Sequence, residues 1–515
     1  MATRKGIERL DELRRKASMG GGQERIDKLH RDGYLTARER VDLLVDPGTF
    51  LELNPFAGPQ PSEFGPPAAY IPGDGVVAGF GLVNGRTVGL YAHDKTVKGG
   101  SLGNVQATKI TTVIRRACDM RVPVVALQDS VGARIQEGNK NVGFDSIFHA
   151  LTQASGVVPL ISCILGRSAG GVAYSSALMD FILMVEGKSQ LFITGPEVIK
   201  AVTHEEVSFE DLGGAKIHAE KSGVCDLVAR DEPGLVQWVK EMLSFLPSSC
   251  EEQPPRVTPR DDPGRRDSRL SSIVPEDPKK VYDMRDVLKS VFDEGYFFEI
   301  KARFAKNILI GFGRMDGWTV GFVANQPMHL AGALDVDASD KASRFIRFCD
   351  AFNIPLLTFV DVPGYLPGID QEHRGIIRHG AKLLFAYAEA TVPKITIIIR
   401  KDYGGGKQAM CSKPMGTDLV LAWPGAELAV MGAEGAVNII CRREIQASED
   451  PDRTRQGLIE AYQDLFDGPF EAARKMYVDD IIPPEETRPR VIQAIRVLAT
   501  KKVSRIDKRH ANMPV

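Results

Sequence analysis

Short, continuous apolar runs recur along the chain at residues 123–129 (PVVALQD), 159–166 (PLISCILG), 355–361 (PLLTFVD) and 394–400 (KITIIIR). Uninterrupted runs of this length predict strands buried on both faces. Between them lie stretches of helical period, such as KASRFIRFCDAF at 341–352. Strands alternating with helices predict crossover units and an α/β fold. Ile7, Leu10 and Leu13 stand at helical spacing in a charged setting, which predicts a peripheral amphipathic helix near the start.

The pattern occurs twice. GFGLVNGRTVGLYAHD (79–94) resembles GFGRMDGWTVGFVANQ (311–326), 232 residues further on. At the same offset, the run at 122–138 matches that at 354–368, setting Pro123 against Pro355 and Asp129 against Asp361. VPLISCILGRSAGG (158–171) matches VPKITIIIRKDYGG (392–405), and VDPGTFLEL (45–53) parallels FDEGYFFEI (292–300). Four matched blocks in one order predict two homologous domains, 1–248 and 281–515. The stretch 249–280 holds six prolines and many charges. It cannot bury enough apolar surface for a core and is expected to be a linker.

Composition narrows the function classes. The 515 residues are 43% hydrophobic and 26% charged, with a formal net charge of −2. No single-sign field points to nucleic acid or an anionic membrane as partner. No apolar run reaches transmembrane length, and the charged start is no secretory signal. Seven dispersed cysteines without a C-x-x-C fit reduced thiols and predict neither disulfides nor a metal site. A cytoplasmic protein is expected.

GRSAGG at 166–171 is a G-x-S-x-G, the string that exposes a nucleophilic serine in many hydrolases. The internal repeat argues against that role. Ser168 falls opposite Asp402, whereas Gly170-Gly171 falls opposite Gly404-Gly405. The copies keep the glycines and drop the serine, and no histidine base can be assigned to it. Glycines at a strand-to-helix turn let backbone N–H groups point at an anion. Two such donors aimed at a developing oxyanion carry large rate effects.

DSVGARIQEG (129–138), GRSAGGVAYSSA (166–177), FITGPEVIK (192–200), FVDVPGYLPG (359–368) and AWPGAELAVMG (422–432) are similar to motifs of the carboxyltransferase (β) subunit of biotin-dependent acyl-CoA carboxylases. The resemblance runs from LTARERVDLLVDPGTF to VDDIIPPEETR, nearly the whole chain. It implies two crotonase-like domains, each a ββα-spiral, the first binding acyl-CoA and the second carboxybiotin. It also implies a homo-hexameric ring of dimers with each active site between subunits. Gly170 and Gly171 fall on the family's oxyanion hole for the thioester, and Gly405 and Gly406 on that for the biotin ureido oxygen. Ser130, Val131, Gly132, Ala169, Val172, Lys407 and Gln408 would contact the acyl-CoA, and Gly364, Tyr365, Tyr403 and Gly404 the biotin. The implied reaction releases CO₂ from carboxybiotin, the biotin enolate so left removes the thioester's α-proton, and the thioester enolate captures the CO₂. Both intermediates are oxyanions, which explains why the chain offers no evident acid–base dyad.

The chain lacks the A-M-K-M setting of a biotinyl lysine, Lys475-Met476 being preceded by Arg474, and lacks an ATP-grasp signature. Biotin would therefore arrive on a partner carrier, loaded by a partner biotin carboxylase. Two departures from the family pattern stand out. Val131 replaces a glycine beside the acyl-CoA site. Lys407 and Gln408 follow the second glycine turn where a tyrosine and the acyl-selectivity residue are usual, which suggests an acyl group with a polar function. The AMCSK stretch and MGAEGAVNII (431–440) look closer to the transcarboxylase and methylmalonyl-CoA decarboxylase branch. Reverse transfer from methylmalonyl-CoA and a non-catalytic scaffold remain the alternatives.

Overall fold

The computed structural model describes residues 2–59, 69–137, 143–277, 280–466, 468–503 and 508–515. Gly138, the last residue of the DSVGARIQEG motif, lies outside the described residues. The chain divides into two compact units, Met1–Glu252 and Gln253–Val515.

The first unit is built on a seven-stranded sheet, order β1-β2-β3-β4-β5-β7-β9. Its strands are β1 (Leu51–Glu52), β2 (Val76–Val83), β3 (Arg86–His93), β4 (Val124–Gln128), β5 (Leu160–Ile164), β7 (Phe181–Val185) and β9 (Leu227–Ala229). A two-stranded ribbon of β6 (Arg167–Ala169) and β8 (Gln190–Phe192) stands beside it. From β3 onward the neighbours are parallel, as the apolar runs predict. β4 and β5 are buried along their whole length.

The second unit repeats the plan with β10 (Phe297–Ile300), β11 (Ile308–Met315), β12 (Trp318–Asn325), β13 (Leu356–Val362), β14 (Lys394–Tyr403), β15 (Leu419–Ala422) and β17 (Asp480–Ile481) in that order. β16 (Glu427–Ala429) pairs with the far end of β14. Its core gathers Phe292, Phe322, Phe359, Ile395 and Ile397, all essentially without exposed surface.

The alternation of strand and helix leaves one feature out. β2 and β3 form an antiparallel hairpin, as do β11 and β12. Each turns on two residues at positive φ, Asn84-Gly85 and Asp316-Gly317. That geometry fits the right-handed twist of the flanking strands and is adopted most readily by Asn-Gly and Asp-Gly.

The proline-rich stretch expected as a linker is in large part structured on the second unit, which begins inside it. The Val257 N–H donates to the Gly317 carbonyl at 3.0 Å, Arg256 pairs with Asp316 at 3.0 Å, and Leu270 is buried in the core. Too polar to fold alone, the segment covers the hairpin turn and lends the core Leu270, with Ile273 and Val274 packed against it. The starting helix, Ala2–Met19, leaves Ile7 exposed and buries Ala17.

Buried lysines mark the repeat more sharply than the glycines do. Lys341, on helix Val336–Ala351, donates to the carbonyls of Lys301, Phe304, Ala305 and Ile308 at 2.7–3.2 Å. Lys109 does the same to Gly73 and Val76 at the equivalent place in the first unit. Burial pulls the two ammonium groups down to about 7 and about 8, while the ring of carbonyls opposes that shift. Lys341→Met should lower unfolding free energy by about 2–5 kcal/mol, since four buried carbonyls lose their donor. Lys109→Met, which strands two, should cost less. Equal midpoints of both variants and the parent in urea would disprove this.

Candidate active site

In each unit the chain leaves a strand, passes a glycine turn and enters a short helix. In the first unit β6 ends at Ala169, Gly170 adopts φ 63° and ψ −129°, and helix Gly171–Ala177 follows. A positive φ of this kind favours glycine. The Ala169 N–H donates to the Ser130 carbonyl at 3.1 Å, and the Gly132 N–H to the Ser130 hydroxyl at 3.3 Å. A side-chain carbon on Gly132 would lie 3.0 Å from the Ala169 carbonyl oxygen. Ser130, Gly132, Ala169 and Gly170 are thus brought together.

The donors differ from the simple Gly170-Gly171 pair. The Gly170 N–H is spent on the carbonyls of Phe192 and Ile193, each at 3.2 Å. Among the described residues, the N–H groups of Gly171 and Val172 meet no acceptor, as at the first turn of any helix. Gly170 therefore shapes the turn, and Gly171 with Val172 presents the open donors. Gly171 must stay small, because an added carbon would meet the Phe144 ring at 2.5 Å. Val172 points its side chain into the core, and Val131 is exposed, packing near Gly99.

In the second unit β14 ends at Tyr403, and Gly404, at φ 54°, opens helix Gly404–Ala409. An added carbon on Gly406 would lie 3.0 Å from Gly364 Cα, whereas one on Gly405 would rest 3.5 Å from the Tyr365 ring. Gly364, Tyr365, Gly405 and Gly406 therefore meet. The Tyr365 hydroxyl donates to the Gly380 carbonyl at 3.2 Å, and that of Tyr403 to Glu427. Gly404, Gly405, Lys407 and Gln408 line a cavity of about 620 Å³, together with Ser412, Met415, Lys475 and Tyr477. Gln408 is exposed to that space. Among the described residues no cluster of three or more His, Cys, Asp or Glu is placed to hold a metal.

Sequence reasoning missed the ion pairs under both turns. In the first unit Asp129, at the end of β4, accepts from Arg40 at 3.1 Å. Arg40 also donates to Glu232 at 2.7 Å, and all three side chains are buried. Burial works against the Arg40 charge, yet Glu232 and Asp129 outweigh it and hold the guanidinium above its ordinary range. Gly166 makes room for this arrangement, since a side-chain carbon there would lie 2.2 Å from the Asp129 carboxylate. In the second unit Asp361 takes the equivalent place, accepting from Arg400 at 3.1 Å and from the Tyr282 hydroxyl at 2.9 Å. Asp129 and Asp361 align in the repeat, but their arginines come from unrelated positions, so only the acids leave a signal.

Ser168 is fully buried, and its hydroxyl has no hydrogen-bond partner among the described residues. No histidine activates it. Both ring nitrogens of buried His93 are likewise without a partner among those residues, and burial pulls its pKa down to about 4. Ser168→Ala should leave turnover within about twofold, read in any assay of the protein's activity. Complete loss with the fold intact would restore the hydrolase reading.

The chain matches the Carboxyl transferase domain family over residues 28–513. It is 54% identical over 512 residues to a propionyl-CoA carboxylase carboxyltransferase subunit of Haloferax mediterranei, covering 99% of each chain. It is 50% identical to the methylmalonyl-CoA decarboxylase subunit alpha of Veillonella parvula, again covering 99% of each. Among solved structures, a transcarboxylase 12S, a hexamer with methylmalonyl-coenzyme A and methylmalonic acid bound, superposes at a TM-score of 0.96. The two are 48% identical over 99% of this chain and 98% of the other.

Proposed function

The chain belongs to the carboxyl transferase family, and from that premise we propose that it moves a carboxyl group between carboxybiotin and a short acyl-CoA of the propionyl and methylmalonyl type. The observation that carries this reading is the glycine turn occurring twice, with open N–H donors at Gly171 and Val172 and a cavity beside Gly404 and Gly405. Fixed backbone donors need no reorganisation as negative charge builds on a thioester oxygen. Gly170 sets the direction of the first turn and Gly404 that of the second, with Gly364 packed against Gly406. The cavity of about 620 Å³ is large enough for a bicyclic urea. Biotin supplies a carrier that gives up or takes the carboxyl group. The chain's own residues bind, orient and stabilise developing charge.

A partner carrier and a partner biotin carboxylase complete the proposal, because no biotinyl-lysine motif occurs in this sequence. A hexameric ring fits the exposed apolar residues Val198, Val202, Ile377, Val430, Ile439 and Ile440, which are 52–80% exposed and need a covering surface. All seven cysteines are thiols, which suits the reducing cytoplasm. Among the described residues no helix is long and apolar enough to cross a membrane. The Veillonella relative favours a second reading in which the same site runs from methylmalonyl-CoA to biotin.

The test is isotope exchange. Propionyl-CoA labelled in its acyl chain, given free biotin and unlabelled methylmalonyl-CoA, should pass label into methylmalonyl-CoA with the protein alone. Absence of label transfer in both directions, with folded protein and either thioester, would sink the proposal.

A further inference from the structure

Asp402 is the last residue but one of β14, just ahead of the second glycine turn, and is 2% exposed. Among the described residues its ion-pair partner is Lys407, with Nζ 3.9 Å from Oδ2. Burial pushes the Asp402 carboxyl up to about 7, and the Lys407 charge pulls the other way. A separation of 3.9 Å exceeds hydrogen-bond length, so this contact consumes none of the three ammonium donors. Lys407 also lies 5.2 Å from the centre of the Tyr477 ring. That cation–π contact steadies the side chain without taking a donor.

Lys407 lines the cavity with Gly404, Gly405 and Gln408. The cavity's other cation, Lys475, is paired to Glu471 at 3.1 Å. At the matching positions of the first unit stand Ser168 and Ala173, so the charge pair belongs to the second turn alone. The asymmetry sets a cation beside one of two otherwise similar backbone cradles.

Resting on the carboxyl-transfer reading above, we propose that Lys407 binds the carboxylate in transit, and that Asp402 is a positioning residue holding the ammonium at the cavity wall. The carboxylate reaches the site from two sources, the N-carboxyl group of carboxybiotin and the carboxyl group of a carboxyacyl thioester. Either offers two acceptor oxygens to an ammonium, and a charge-assisted hydrogen bond is about twice as strong as a neutral one. Asp402, buried behind the turn, balances the Lys407 charge when the site holds no anion.

The test compares equilibrium affinities of the full-length protein for matched ligands with and without the carboxylate. One pair is methylmalonyl-CoA and propionyl-CoA; the other is N-carboxybiotin methyl ester and biotin methyl ester. Lys407→Met should weaken a carboxylated ligand by about tenfold or more and its uncarboxylated partner by less than about twofold. Lys407→Arg should restore most of the difference. Asp402→Asn should weaken the same ligand less, in the same selective way. The double variant Asp402→Asn/Lys407→Met leaves no buried charge unpaired, and it gives the same readout should the single variant fail to fold. Selective loss in the thioester pair assigns Lys407 to the acyl carboxylate; selective loss in the biotin pair assigns it to the N-carboxylate. Equal loss for both members of each pair, or no loss in either, overturns the proposal. Failure of isotope exchange by the parent protein would strike the carboxyl-transfer reading instead, since these affinities are measured without turnover.

Discussion

If the Gly405 N–H is an oxyanion donor, as proposed, Gly405→Pro is expected to lower carboxyl transfer by about 10²–10³-fold. Gly405 is exposed to the cavity, and a side-chain carbon there meets nothing nearer than the Tyr365 ring at 3.5 Å. Proline removes the N–H at a position where a Cβ makes only an ordinary van der Waals contact. Gly405→Ala is the control: it keeps the N–H and makes an ordinary van der Waals contact, so it should cost far less. The comparison separates the donor from the shape of the turn, which substitution at Gly406 cannot, because a side-chain carbon there collides with Val362 and Gly364. Turnover of the two variants, beside their thermal midpoints, is the measurement. Equal activity of Pro and Ala at position 405 would refute the donor role.

Arg40→Met is expected to give the largest loss of stability, about 3–5 kcal/mol, the usual result of removing one partner from a buried ion pair. Arg40 is 1% exposed and holds both Asp129 and Glu232, themselves 1% and 2% exposed. Methionine fills much of the space but leaves two carboxylates facing each other in a dry interior. Lys95, 3.3 Å from Asp129 and partly exposed, offsets only that one of the two. For a unit of this size the loss corresponds to a fall in thermal midpoint on the order of 10 °C. Calorimetry reads it directly, and a shift below about 2 °C would show that the triad contributes little. Function should suffer as well. Asp129 leads straight into Ser130, whose carbonyl and hydroxyl hold Ala169 and Gly132 in place.

Much of this was legible along the chain because its signals are local. Apolar runs of seven or eight residues are buried strands here, and a second copy of the pattern shows that it folds as a unit. The Gly170-Gly171 pair stood out because its partner Gly404-Gly405 kept the glycines and lost the serine. The hairpins were legible too, in Asn84-Gly85 and Asp316-Gly317, but the expectation of parallel crossovers passed over them. The proline-rich stretch misled for a physical reason. Its composition forbids a core of its own, yet Leu270 needs only a neighbour's core.

The sequence by itself determined the twofold plan, the family and the place of the two glycine turns, since each depends on short strings and their order. Tertiary structure decided which N–H groups are open. The Gly170 N–H is taken by the Phe192 and Ile193 carbonyls, brought in by the pairing of β6 with β8. It also decided that Arg40 and Arg400 serve aligned aspartates from unaligned positions, and that Asp402 sits behind the turn from which Lys407 reaches the cavity. Hydrogen bonding and charge pairing act through space at about 3–4 Å, and no spacing along the chain encodes which distant group will arrive there.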